Sequence, residues 1–233
     1  MIRIRPAAER GHIDHGWLKA RHSFSFADYH DPANGRFRKL RVLNDDIIGP
    51  GAGFGMHPHE NMEIVTYPIE GALVHEDSKG HRSRLEAGQV QRMSAGTGIF
   101  HSEHNASTEN PLRVLQIWIF PSVKDIKPSY EEAEFLPEEK LNRLCLIVSP
   151  GGLEGSLDIY TDARIYASIL EAGATIEHTL EEDRHAWLQV ARGSIRLKDL
   201  ELHEGDGAAL STETHLEIEG LADESEFLLF DLA

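Results

Sequence analysis

Apolar residues along the chain fall into short runs, rich in β-branched side chains and closed by glycine or turn residues. Examples are LRVLNDDII, EIVTYPI, RVLQIWIF, RLCLIVS, AWLQVARGSIRL and EFLLFDL. Runs of this length at fairly regular spacing predict an all-β chain arranged as a sandwich or barrel. A helical period of apolar positions is found almost nowhere. The stretch PSYEEAEFLPEEKLN, residues 128–142, is polar and bounded by proline. It reads as a linker between an N-terminal domain, residues 1–127, and a C-terminal domain, residues 143–233.

The two halves repeat one pattern. YPIEG leads to Gly71 and RLEAGQVQRMSAG carries Gly88; LQVARG leads to Gly193 and ELHEGDGAALSTE carries Gly205. Strand, turn glycine, strand and acidic-glycine turn recur in that order, which predicts a duplicated β-barrel. Counting from these glycines matches His57 and His59 with Thr179 and Glu181. It matches His101 and Glu103 with Ile218 and Gly220. A site built on the first set is expected in the first half alone.

Composition removes several classes of partner. The formal net charge of −16 opposes binding to nucleic acid or an anionic membrane through the bulk field of the protein. No apolar run approaches the roughly 20 residues that span a bilayer. MIRIRPAAER lacks the apolar core of a signal peptide. Cys145, the single cysteine, forms no internal disulfide, which fits a reducing, cytoplasmic setting. There is no Walker-type phosphate loop, dinucleotide fingerprint or G-x-S-x-G elbow. GAGFG precedes a predicted strand rather than a helix.

Candidate chemistry lies in two dyads. In GFGMHPHENMEIVTY, His57 and His59 share a face if the segment is extended, and Pro58 opposes a helix there. In GTGIFHSEHN, His101 and Glu103 form a second i, i+2 pair. Facing into one barrel, the dyads would offer three imidazoles and one carboxylate to a single ion. That set suits a first-row divalent metal (Fe, Ni, Cu, Zn or Mn) rather than a closed cysteine-rich zinc site. Glu63 is the rival fourth ligand, or a partner of a ligating imidazole, if it keeps the strand face of His59. His104 is expected in solvent, as are His75 and His81 at the turn HEDSKGHR. His12, His15, His22 and His30 belong to an aromatic-rich segment able to cap a barrel mouth.

At these residues the sequence resembles the cupin superfamily and, within it, the pirin family. GAGFGMHPHENMEIVTYPIEG looks like the first cupin motif and GQVQRMSAGTGIFHSEHN like the second. HGWLKARHSFSFADYHDP and LRVLNDDIIGPG are similar to bacterial pirin-like proteins, so the resemblance covers most of the first 125 residues. It implies a bicupin, two jelly-roll barrels of which only the first holds metal. It implies one divalent ion, foremost Fe(II), on His57, His59, His101 and Glu103. The activity implied is that of a quercetin 2,3-dioxygenase, opening a flavonol with O2 and releasing carbon monoxide, with Glu103 taking the proton of the substrate hydroxyl. A monomer is implied as well. Other pirins resemble regulators, so the competing reading is a metal-binding, redox-responsive protein acting through a protein partner. A cavity beside the metal wide enough for a bicyclic ligand favours the enzyme; a sealed site favours the regulator.

Overall fold

The computed structural model describes residues 2–233, and its strands confirm the all-β expectation. Beyond one short helix, Pro137–Lys140, and three single-turn 3-10 segments, the regular structure is β-strand. Among the described residues no helix is long and apolar enough to cross a membrane. The chain divides into two compact units. One comprises residues 11–134 with 157–161; the other comprises residues 2–10, 135–156 and 162–233.

In the first unit a seven-stranded sheet runs Ser129–Glu134, Gln89–Ser94, Glu63–Glu70, Leu112–Ile119, Leu40–Ile48, Leu18–His22 and Gly11–Asp14. A four-stranded sheet runs Gly53–His59, Ile99–Asn105, Ala72–Asp77 and Arg82–Glu86. In the second unit the larger sheet begins Ile2–Arg5, Gly207–Leu210, His185–Arg192, Ser225–Leu232, Ala163–Leu170 and Cys145–Ser149. Its smaller sheet runs Thr175–Thr179, His215–Gly220, Ser194–Leu197 and Leu200–His203. The central strands of the two larger sheets and all four strands of the smaller ones follow the same order, as a duplication requires, while the edge strand Ser129–Glu134 ends its unit's strands and Ile2–Arg5 begins the other's. Each unit is a two-sheet antiparallel jelly roll rather than a continuously closed barrel.

The segment expected as a linker is structured. Ser129–Glu134 pairs along its length with Gln89–Ser94, and Pro137–Lys140 follows it. In the second unit the matching edge strand is Ile2–Arg5, paired with Gly207–Leu210. Residues 2–10 therefore group with the C-terminal residues, and the boundaries 1–127 and 143–233 differ from the division into compact units.

Turn glycines set the duplicated frame. Gly71 and Gly193 carry the chain from the larger sheet to the smaller at φ +81° and +68°, a left-handed conformation that side chains disfavour. A Cβ on Gly71 would also lie 2.9 Å from the Pro111 carbonyl oxygen. With these glycines matched, strand register corrects the equivalences expected from counting. Glu103 pairs with His75 and Ile218 with Leu197, so Ile218 stands where Glu103 does. His101 then corresponds to Leu216, which pairs with His178 just as His101 pairs with His57. Leu180 takes the place of His59. Counting failed because the loops between these strands differ in length in the two units.

The second unit accordingly fills its centre with hydrocarbon. Leu180, Leu188, Leu216, Ile218 and Leu229 are buried in one cluster. His178 alone remains a histidine, its ring 5.1 Å from Tyr166 and its Nε2 3.6 Å from Asp231. Cys145 opens its strand, partly buried and unpaired.

Candidate metal centre

His57 and His59 end the edge strand Gly53–His59, and His101 and Glu103 lie on the adjacent Ile99–Asn105. His101 stands directly opposite His57 in the register. A register shift between His101 and Glu103 then sets Glu103 against Phe54. The strands approach unusually closely here. A Cβ on Gly53 would lie 2.3 Å from the Glu103 carbonyl oxygen and 2.5 Å from the Cα of His104. Only glycine fits, which ties the GAGFG approach to the placement of the histidines.

The three imidazoles converge. Their ring centroids are separated by 4.4 Å (His57–His101), 4.7 Å (His59–His101) and 4.8 Å (His57–His59). One ring nitrogen of each lies within 4.8 Å of those of the others, close enough to share one ion. The Nδ1 of His57 donates to the Gly55 carbonyl at 2.8 Å, leaving Nε2 as the free lone pair. His101 is buried and its Nε2 has no hydrogen-bond partner, an arrangement that costs stability unless something binds there. Burial, reinforced by the neighbouring His57, lowers the pKa of His59 to about 4. Burial, followed by His57, His59 and His75, lowers that of His101 to about 2. Both rings are neutral at physiological pH, the state in which imidazole ligates a metal. The donor set fits a first-row divalent ion.

Glu103 sits deeper. Its ligating oxygen groups with His101 and with His75 rather than with all three predicted histidines. The Thr66 hydroxyl donates to Oε1 at 3.1 Å, and Gln116 Nε2 donates to Oε2 at 2.5 Å. Burial raises its pKa to about 7 even though both hydrogen bonds favour the carboxylate. Thr66 and Gln116 come from adjacent strands of the facing sheet and stand opposite one another. In the second unit the corresponding pair is Leu188 and Leu229.

Glu63 takes no part in this cluster. Its strand begins after a reversal at Asn61, which has φ +48°, so Glu63 and His59 do not share one strand face. Thr66, three residues on, faces Glu103; Glu63 therefore faces the other side of the sheet. There it accepts from the Ser94 hydroxyl at 2.7 Å and the Tyr160 N–H at 3.5 Å. Burial raises its pKa above the usual carboxylate value.

His75, expected in solvent, is fully buried. Its Nδ1 lies 3.4 Å from His101 Nδ1, and its ring lies 5.0 Å from that of Tyr130. Its Nε2 is 3.8 Å from Asp77, whose other close partner is the half-exposed His81 at 2.8 Å. His104 is exposed, as expected, and so are His12, His15 and His30, whereas His22 is buried.

A cavity of about 450 Å³ opens beside the histidines. Trp17, Phe26, Phe54 and Trp118 provide its aromatic walls; Asn44, Asp46, Gln116 and Glu103 provide polar ones. Trp17 stands edge-on to Phe54 at 5.3 Å and Phe26 edge-on to Trp118 at 5.2 Å. The aromatic N-terminal segment thus furnishes Trp17 and Phe26 to the cavity wall. Asn44, Thr66 and Gln116 drew no attention in the sequence. Thr66 and Gln116 are each the single polar side chain at the buried centre of their strands, and that interruption was the available signal; Asn44 shares its strand face with Asp46.

Comparison with known proteins agrees with this architecture. Residues 3–119 match the family model described as Pirin, and residues 146–232 match that described as Quercetinase C-terminal cupin domain. A protein of Escherichia coli (strain K12) named quercetin 2,3-dioxygenase is 43% identical over 232 residues, covering 100% of this chain and 99% of that protein. A pirin-like protein of Caulobacter vibrioides is 41% identical over 234 residues, covering both chains fully. The crystal structure of the bacterial pirin YhhW from Escherichia coli in complex with nickel(II) superposes with a TM-score of 0.94 at 43% identity. It covers 100% of this chain and 99% of that one. With both jelly rolls matched over nearly their whole length, the chain belongs to the pirin family.

Proposed function

We propose that the protein is a metal-dependent dioxygenase that opens a flavonol of the quercetin type with O2, with Fe(II) as the working ion and His57, His59, His101 and Glu103 as its ligands. The observation that carries this reading is the convergence of three imidazoles on the wall of an aromatic-lined cavity of about 450 Å³. Small-molecule sites span roughly 300–1,000 Å³, and a sealed site would have favoured a regulatory role instead. The name of the Escherichia coli relative supports the same substrate class. The single unpaired cysteine suits a cytoplasmic enzyme.

A divalent transition ion at this site supplies Lewis acidity toward a substrate hydroxyl and the redox capacity that reaction with O2 demands. The chain's own residues do the rest. Trp17, Phe54, Phe26 and Trp118 bind the flat rings and exclude water. Glu103, pinned at both oxygens by Thr66 and Gln116, is the base that takes the hydroxyl proton. Gly53 lets its strand approach closely enough to bring His57 opposite His101.

The test is O2-dependent loss of quercetin absorbance by protein reconstituted separately with iron, nickel, copper and manganese, with His101→Ala as control. Turnover that requires O2 and His101 supports the enzyme and identifies the ion. Stoichiometric metal without turnover for any ion overturns it in favour of a regulator working through a protein partner.

A further inference from the structure

The wall of the cavity carries a polar group that the reaction does not use. Asn44 is only 4% exposed, lines the cavity, and its Oδ1 has no hydrogen-bond partner. Buried acceptors are rarely left so. Its neighbours explain where it points chemically. Asn44 stands opposite Gln116 in the register, and Gln116 turns its own amide to Glu103. Asn44 therefore lies one strand spacing, about 4.8 Å, beyond the residue that holds the base. Asp46, two positions along on the same face, adds a carboxylate to the same wall. Both groups accept hydrogen bonds, and aromatic rings flank them.

Register gives a second, independent observation. The position matched to Asn44 in the other unit is Tyr166, opposite Leu229. There the central cavity is filled by Leu188, Leu216, Ile218 and Leu229. The unpartnered Oδ1 occurs in the unit whose centre holds the histidines and is replaced by Tyr166 in the unit whose centre is an apolar cluster.

We infer that Asn44 is a specificity-determining residue whose Oδ1 accepts a hydrogen bond from a hydroxyl on the non-reacting ring of the substrate. The ligand class is a planar polyphenol that bears an O–H donor on a ring other than the one whose hydroxyl is presented to Glu103. The inference rests on the flavonol reading above and narrows it: a flavonol without pendant hydroxyls leaves Asn44 unsatisfied and binds less well.

The experiment measures binding, not turnover. Nickel-loaded protein, kept free of O2, is titrated with quercetin, kaempferol and galangin, flavonols bearing two, one and no hydroxyls on the pendant ring. Quenching of Trp17 and Trp118, which line the cavity, reports Kd. The expected order is quercetin tightest and galangin weakest, with about a tenfold difference between them. Asn44→Leu should weaken quercetin to the level of galangin and leave galangin unchanged. Asn44→Asp, which retains an acceptor, should preserve the order. The wild-type series stands on its own if Asn44→Leu does not fold. Equal affinity for all three, or an order that survives in Asn44→Leu, overturns the assignment while leaving the flavonol reading intact. No binding of any flavonol overturns both.

Discussion

His75 and His101 stand side by side beneath the candidate metal centre, their Nδ1 atoms 3.4 Å apart and both side chains buried. The ring nitrogen that would face an ion is set by what the other nitrogen bonds. With Nδ1 held by His75, the unpartnered Nε2 of His101 is the one left to ligate. His75 is thus a positioning residue, backed by Asp77 at 3.8 Å.

Replacing His75 should weaken nickel binding by about 10–100-fold, the usual consequence of removing a ligand's outer partner. The fold should tolerate His75→Leu, because Leu197 occupies the matched position of the second unit fully buried. His75→Gln, which can still accept from His101, should recover most of the affinity. Calorimetric titration with nickel, beside thermal melts of the metal-free variants, separates the two effects. Unchanged affinity in His75→Leu would remove the positioning role.

Gly53→Ala should damage the same centre from the other side. The new Cβ meets backbone atoms of Glu103 and His104, which cannot rotate away as a side chain could. Overpacking of this kind costs about 1–3 kcal/mol, or a few degrees or more in Tm for a chain of this size. It should also weaken metal binding by separating His57 from His101. Gly55→Ala, with nothing within 4 Å of its Cβ, is the matched control and should leave both quantities unchanged.

The convergence of His57, His59 and His101 was legible in the sequence, because residue type at i, i+2 spacing on predicted strands marks them; the grouping of Glu103 with His75 and His101 was not. The duplicated all-β frame was legible for the same reason, from turn glycines such as Gly71 and Gly193. What escaped depends on contacts across sequence. His75 looked solvated beside a polar turn, but Tyr130 covers it from a strand that pairs with Gln89–Ser94, in a stretch whose polarity suggested a linker. Glu63 looked like a ligand because its residue offset from His59 is even. The reversal at Asn61 broke the single strand on which that reasoning relied. The equivalences drawn by counting failed at the same kind of place, where a loop rather than a strand sets the offset.

The second unit offers a test of why Glu103 is tolerated at all. Ile218 holds the matched position, with Leu188 and Leu229 where the first unit places Thr66 and Gln116. Ile218→Glu would bury a carboxyl with neither donor. A cost of about 3 kcal/mol or more follows from an unsatisfied buried acid, read as a drop in Tm. Adding Leu188→Thr and Leu229→Gln should return part of that loss relative to the same pair of changes made alone. If the three changes are simply additive, the hydrogen-bond argument fails.

Glu103 itself should make the stability of the metal-free protein depend on pH in a defined direction. Burial raises its pKa from 4.5 to about 7 in the folded chain. Below about pH 4.5 the group is protonated in both states and imposes no penalty. Between 4.5 and 7 the unfolded chain releases the proton while the folded chain retains it, so stability falls as pH rises; above about 7 the loss is complete. Its ceiling is on the order of 3 kcal/mol, since each pKa unit corresponds to about 1.4 kcal/mol. Glu103→Gln cannot ionise, so its stability relative to the wild type should climb across that window and level off above it. Urea titrations of both metal-free proteins from pH 4.5 to 8 measure the difference directly. A difference independent of pH would mean that the folded protein accommodates the charged carboxylate at no cost, with Thr66 and Gln116 compensating fully for its burial.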